Sequence, residues 1–456
     1  MSFVFFKKRT ASQLRTKHGY PSDVADILYE YLMRVGRKRV NRSALRKILE
    51  VCFFASMRTE EGKEISFTVV YANPKSPDPL PPKRVRPHRW TFVSFKDKSP
   101  FNIKNIVKLS SAINPAFSAV AVFVDKSGTP IIWGATDQEV VYRRSVNHDR
   151  SGSFGRPGIF QVEVEGPGII SVYDGNVLVT TLRNQSIVSE FHNVFEEGPI
   201  FKKLVPYIQD FAIKVHSRIE KQSIDLEYDW IPDIRDAWLS VFRKVLLQIR
   251  RTRHGGAIIL NPTNRKANLH IKYDLRYDRL NKNLQDKVFN YILRNEYAEE
   301  VHHRYTSQDS NAMPVSLYLN ESVANDAYED NQEAEIGCLN FISSMSRVDG
   351  AILLSKGLIT SGFGVEIRER REAKSVYLAS KSDPKARHLK KLDPTQFGTR
   401  HRSMIRYCYY NPSAVGFVIS QDGDVRVMTR VGSKLLVWEN IQVEDIISGR
   451  DPIELD

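Results

Sequence analysis

Residues 335–354 read EIGCLNFISSMSRVDGAILL, and two different periods meet within them. Ile336, Leu339, Ile342 and Met345 recur at helical spacing as far as Arg347, whereas Ala351-Ile352-Leu353-Leu354 is an unbroken apolar run of the kind that buried strands carry. Asp349 and Gly350 stand at the junction. A helix that hands a carboxylate and a glycine to the mouth of a buried strand predicts an α/β fold, with a mixed sheet flanked by helices. The same succession occurs upstream. Asp233 caps a helix with Ile234, Trp238, Val241, Val245 and Ile249 on one stripe, and Arg250 to His254 close it at the negative end of its dipole. Gly255-Gly256 then turns the chain into the strand Ala257 to Leu260. A further amphipathic helix is expected over Leu280 to Leu293, and residues 306–333, polar and increasingly acidic, are expected to be mostly irregular.

The first half has another rhythm. Ser22 and Asp23 cap a helical run through Val24, Ile27, Leu28, Tyr31 and Leu32, and a second helix starts at Asn41 or Ser43 with Leu45, Ile48, Leu49 and Cys52 on one face. Asn73 to Pro87 holds six prolines and reads as a loop or linker. Strands follow over Trp90 to Phe95, Ala119 to Val124, Pro130 to Trp133, Gly158 to Val164, Ile169 to Tyr173 and Val177 to Leu182. Asp125 to Gly128 and Asp174-Gly175-Asn176 supply hairpin turns. Helical patterns at Ile187 to Val194 and Phe201 to Ile219 lead away. The reading is therefore a separate mixed α/β domain over residues 1–220 and a second domain over 221–445, with an insertion around 263–335.

Composition narrows the classes of function. The chain has 456 residues, 41% apolar and 26% charged, which excludes a disordered chain, and no apolar run approaches the ~18 residues of a membrane span. Met1 to Arg9 places its basic residues after its few apolar ones, the reverse of a secretory signal. Cys52, Cys338 and Cys408 form no metal-ligand spacing and suit a reducing compartment, so a cytoplasmic location is expected. The net charge of +14 favours anionic partners without choosing among them.

Three pieces carry chemistry. Asp349-Gly350-Ala351 can hold a divalent cation or orient a hydroxyl at a place where a flat ligand approaches closely, although Asp-Gly alone also makes a plain turn. Phe397-Gly398-Thr399-Arg400-His401-Arg402 combines a sharp backbone path, a hydroxyl and two guanidinium forks, ahead of a helical run from Ser403 to Tyr409. At such a helix start an anion is favoured, and the flanking cations hinder protonation of His401; a basic turn is the bland alternative. Ala414 to Ser420 and Asp424 to Thr429 read as a hairpin across Gln421-Asp422-Gly423, which leaves Ser420 at the end of a buried strand.

Together these pieces resemble the diadenylate cyclase domain family. It carries an Asp-Gly-Ala motif followed by an Arg-His-Arg motif preceded by Gly-Thr, here about fifty residues apart. The resemblance covers roughly residues 225–440. The first half is similar in general character to the sensor-like (DACNV-type) domain found ahead of some of these cyclases. The resemblance implies condensation of two ATP into 3′,5′-linked cyclic di-AMP, with release of two pyrophosphates, across two domains that face each other. It implies that self-association is required, that Mg²⁺ or Mn²⁺ is the cofactor, and that Asp349 is the metal ligand. Asp349, Gly350, Ala351, Arg400, His401 and Arg402 would be catalytic. Gly364 and Val365, in a turn whose backbone holds adenine, would bind ATP together with Gly398, Thr399, Arg400, His401, Arg402 and Ser420. Nucleic acid and membrane are not expected as partners. Val348 stands where some members have a histidine, and Gln421 where many have a glutamate. Those departures leave a second reading, a catalytically impaired nucleotide-binding regulator with the same fold.

Overall fold

In the computed structural model the described residues are 19–37, 40–75, 91–114, 118–137, 156–175, 177–183, 185–188, 193–222, 226, 228–262, 267–306, 315–379 and 386–443. Most of the proline-rich stretch Asn73 to Pro87 and the amino-terminal residues 1–18 lie outside them. The chain forms two compact units that divide at 189/190. Both are mixed α/β. Among the described residues no helix is long and apolar enough to cross a membrane.

The first unit opens with helices α1 (Pro21–Arg34) and α2 (Arg42–Ser56) and a two-residue hairpin, β1 (Thr59–Glu60) with β2 (Lys63–Glu64). Then come β3 (Phe67–Tyr71), β4 (Thr91–Pro100), α3 (Ile103–Ser110), β5 (Ser118–Val124) and β6 (Pro130–Asp137). They are followed by β7 (Phe160–Gly166), β8 (Ile169–Asp174), β9 (Val177–Arg183) and β10 (Ser186–Val188). The eight-stranded sheet runs β10-β9-β8-β7-β3-β5-β6-β4, with only β3 and β5 parallel. Leu28, Leu32, Ile48 and Leu49 of the helices pack on Phe67, Val69, Val120 and Val162 of one sheet face. The caps differ slightly from the expectation. Asn41 accepts the Ser43 amide at 2.8 Å to start α2, but α1 starts from Tyr20, whose amide is taken by Asp23 at 2.8 Å. Ile187 does not begin a helix; it lies in β10, where its alternation with Leu182 pairs it to β9.

The second unit begins with α4 (Gly198–Lys221) and α5 (Ile231–Arg251), then β11 (Gly256–Leu260), β12 (Leu269–Tyr277), α6 (Arg279–Thr306) and α7 (Val315–Met345). It continues through β13 (Ala351–Leu354), β14 (Thr360–Ile367), β15 (Val376–Ala379) and β16 (Leu389–Lys391) to α8 (Thr399–Tyr410). The strands β17 (Val415–Ile419), β18 (Val425–Val431) and β19 (Lys434–Trp438) complete it. The nine-stranded sheet has the order β12-β14-β13-β11-β17-β18-β19-β15-β16, in which β11/β13 and β15/β19 are the parallel pairs. Its central strands β11, β13 and β17 are buried throughout, as their unbroken apolar runs require. Ile258, Leu260, Ile352 and Phe417 face α4 to α7, while Ala257, Ile259, Leu353 and Val418 face α8 alone.

Two expectations are corrected here. The boundary falls at 189/190 rather than near residue 220, because Leu204, Tyr207, Phe211 and Val215 of α4 share a core with Trp238 and Phe242. Most of the segment read as irregular, 306–333, is the first half of the long helix α7. Its inward seam runs Leu317, Ala324, Tyr328, Asn331, Glu335, Cys338, Ile342, a near-heptad spacing with polar members that hides the apolar period. Those polar members are paired. Asn331 donates to Asn283 at 3.1 Å and accepts from Asn290 at 2.9 Å. Glu335 takes Lys244 of α5 at 2.5 Å and Lys287 of α6 at 2.8 Å.

Burial by itself would raise the Glu335 pKa, but the two ammonium groups outweigh it and hold the carboxyl at about 2 against an ordinary 4.5. With the folded value below the unfolded one, the stabilisation is fully present above about pH 4.5 and is lost as pH falls through 2. Replacing Glu335 with Gln leaves two buried ammonium groups facing a neutral amide. We expect a loss of about 3–5 kcal/mol in urea unfolding at pH 7, with the deficit relative to wild type shrinking toward pH 2. A deficit independent of pH would show that the carboxylate charge is not what these helices share.

Candidate functional site

The register of the central strands brings the three sequence pieces to one end of the sheet. Ile258 is level with Ile352 across the parallel pair β11/β13, and Gly256 is level with Ile419 across β11/β17. Ala351 faces Val365, and Ile419 faces Val425. The amino ends of β11, β13 and β18 and the carboxyl end of β17 therefore lie together. Asp349, before β13, and Ser420, after β17, are two strands apart, roughly 10 Å at the usual spacing.

Gly350 shows why this junction takes glycine. Its φ is +123°, and a Cβ there would come within 2.5 Å of the Gly364 carbonyl carbon and 2.7 Å of the Val365 nitrogen. Asp349, Gly350, Gly364 and Val365 are thus neighbours, with Asp349 exposed beside them. Lys272 of β12, which no motif indicates, stands close by. Its ammonium is raised in pKa first by its hydrogen bond to Glu366 and then, to a smaller extent, by the charge of Asp349.

The second cluster is a cavity of about 310 Å³ lined by Gly398, Thr399, Arg400, His401, Val418, Ile419, Ser420, Gln421 and Asp422. Gly398 is the N-cap of α8, and the first intrahelical bond runs from the Arg402 amide to the Gly398 carbonyl at 3.1 Å. The amides of Thr399, Arg400 and His401 therefore open toward this end without an intrahelical acceptor, an arrangement that favours an anion. Ser420 Oγ accepts the Asp424 amide at 3.0 Å and donates to the Asp424 carbonyl at 3.4 Å, which fixes the hydroxyl in the turn at the cavity edge.

Burial first, then the charges of Arg426 and Arg400, push His401 down to about 4, with Asp424 opposing. The sequence expected hindrance from cations and named Arg400 and Arg402 for it; burial is the larger cause, and Arg426 takes the place given to Arg402. Arg402 does not line the cavity. It helps to keep Glu372 ionised, a carboxylate held chiefly by its hydrogen bond to Arg406.

Among the described residues no group of three or more His, Cys, Asp or Glu side chains is placed to hold a metal ion. A divalent cation would rest on Asp349 together with phosphate oxygens, a hard donor set that suits Mg²⁺ or Mn²⁺.

Comparison with known proteins identifies one part of the chain. Residues 37–137 match the family described as "Probable sensor domain DACNV". The match runs from before α2 to the end of β6, so the first unit contains a sensor-type domain and the second unit lies outside the match. A search of curated proteins returned no match to the chain.

The contact that sets Arg400 was invisible in the sequence. Gly255, at φ +65°, lies beneath its guanidinium: a Cβ there would be 2.9 Å from Nη1 of Arg400 and 2.8 Å from the Ile419 carbonyl oxygen. Gly255→Ala should therefore cost about 1–3 kcal/mol through backbone strain and displace Arg400. Thermal unfolding reads the first effect, and titration with inorganic tripolyphosphate reads the second as weaker binding. A variant as stable and as phosphate-avid as the parent would show that this contact does not set Arg400.

Proposed function

We propose that the second unit is a diadenylate cyclase, which joins two ATP into cyclic di-AMP, and that the sensor-type first unit regulates it. The observation that carries this reading is that Asp349-Gly350, Gly364-Val365, Gly398 to His401 and Ser420 all lie at one end of the sheet. In the reaction the 3′-oxygen of one ATP forms a bond to the α-phosphorus of the other. The bond from that phosphorus to the bridging oxygen breaks, pyrophosphate leaves with the electron pair, and the hydroxyl proton passes to the Asp349 carboxylate. Repetition in the opposite sense closes the ring.

Catalysis of this kind rests on positioning and charge neutralisation. Asp349 aligns the ribose hydroxyl and holds the cation, which when bound would screen phosphate charge. Gly350 admits the Gly364-Val365 backbone of β14 against the Asp349 junction, and that backbone would hold the base. Thr399, Arg400, His401 and the open amides of α8 hold phosphate, with Ser420 at its edge. Each chain supplies one such set, so two chains must meet with their ATP faces together. The second reading, a nucleotide-binding regulator without turnover, is favoured by the neutral Gln421 in the cavity wall.

The deciding experiment incubates the full chain with ATP and either Mg²⁺ or Mn²⁺ and separates products by mass. Cyclic di-AMP is expected, with specific activity rising with protein concentration; ATP bound but unconverted under both metals would replace the cyclase with the regulator. Asp349→Asn should keep most ATP affinity and lose about 10²-fold or more in turnover, whereas Arg400→Ala should weaken ATP binding itself. An Arg400→Ala chain with unchanged affinity would remove Arg400 from the phosphate site.

A further inference from the structure

The hairpin of β17 and β18 carries a residue that no motif points to. Arg426 places Nη1 3.1 Å from Nε2 of His401 and donates from Nε to Glu439 at 3.0 Å, while Nη2 lies 3.7 Å from Asp424. Its guanidinium carbon is 5.5 Å from the centroid of the Phe397 ring, and that ring stacks on His401 at 5.5 Å and 23°. His401 is thus held between an aromatic ring and a guanidinium that two carboxylates anchor.

A guanidinium has only donors and keeps its charge, so Nε2 of His401 must accept, and the single proton of the neutral ring is then on Nδ1. We infer that Arg426 is a positioning residue for His401. By occupying Nε2 it fixes the neutral Nδ1–H tautomer and leaves Nδ1–H as the one donor this ring offers to an anion in the cavity at the start of α8. The inference rests on reading that cavity as the phosphate-holding part of a nucleotide site.

The charged groups around the ring agree. Arg400 acts from its own helix and Arg426 from β18, Asp424 opposes them from the hairpin turn, and Glu439 lies behind Arg426. Anchoring by Asp424 and Glu439 matters because a mobile arginine would trade Nε2 for solvent. A histidine held in this way donates to a phosphate oxygen through neutral pH without becoming a further cation beside Arg400.

The test uses the full chain with ¹⁵N-labelled histidine rings, the signal of His401 being the one missing from His401→Gln among the 11 histidines. Between pH 5 and 8, wild type should show a protonated Nδ1 and an unprotonated Nε2, and inorganic tripolyphosphate should move the Nδ1 signal. In Arg426→Gln the tautomers should mix, the titration midpoint should rise by about one pH unit or more, and tripolyphosphate affinity should fall severalfold. Arg426→Lys, which keeps the charge but not the fork, should fall between. Should Arg426→Gln fail to fold, the wild-type spectrum alone decides, since an Nε2–H ring or an imidazolium at pH 6 overturns the assignment. An Nδ1–H ring whose signal tripolyphosphate leaves unmoved refutes the phosphate reading of the cavity and the donor role with it. The wrong tautomer with tripolyphosphate bound refutes the role of Arg426 alone.

Discussion

The Glu335 carboxylate, shared between Lys244 and Lys287, is the constraint on which the second unit depends. A charge from each of three helices is tolerated in a dry core only in the register that pairs them. α5 and α7 are thereby fixed lengthwise against each other, and Gln248 donating to Asn340 at 2.7 Å repeats the constraint a turn further on. A slip of one residue would carry a helix end by about 1.5 Å. Those ends are where the chain turns toward Gly255 and Asp349. A polar cluster deep in the helix layer therefore sets the position of groups that stand at the end of the sheet.

At that end, charge of both signs is kept close without cancelling. The open amides of α8 and the Arg400 guanidinium provide a positive wall, pressed against Gly255 so that the arginine has little freedom left to lose on binding. Asp424 and Glu439 do not neutralise it, because Arg426 takes both. Asp349 stands apart, about two strand spacings away. Separation of this kind keeps the carboxylate from pairing with the cations of the other wall.

Much of this was legible in the chain, for identifiable reasons. Buried strands declare themselves by unbroken apolar runs, so β11, β13 and β17 were readable, and with them the place of Asp349-Gly350. α8 was readable from Ser403 onward because its apolar residues recur at helical spacing, but it starts four residues earlier, at Thr399. Other parts were not. α7 hid its first half because Asn331 and Glu335 occupy seam positions that a periodicity search expects to be apolar, and only the partners on α5 and α6 make them acceptable. α4 has a clear apolar stripe, but a stripe does not say which core receives it. Gly255 and Arg426 act through contacts with residues far along the chain, on Arg400 and on His401. β18 carries two long cations at half-buried positions, Arg426 and Arg430, and nothing local distinguishes them.

The nine-stranded sheet also has to end somewhere, and both of its borders are built to refuse another strand. β12, nine residues long, is the longer of the two, and its alternate residues His270, Lys272, Asp274 and Arg276 are all exposed polar or charged groups. Its pairing with β14 is broken by a shift between Asp274 and Tyr277, which adds twist where a flat template would be most inviting. The opposite border, β16, is three residues long and ends in Lys390 and Lys391. Short borders, lysines and an irregular ladder are the devices by which sheets resist edge-to-edge growth. Borders of this kind disfavour an assembly that simply prolongs the sheet.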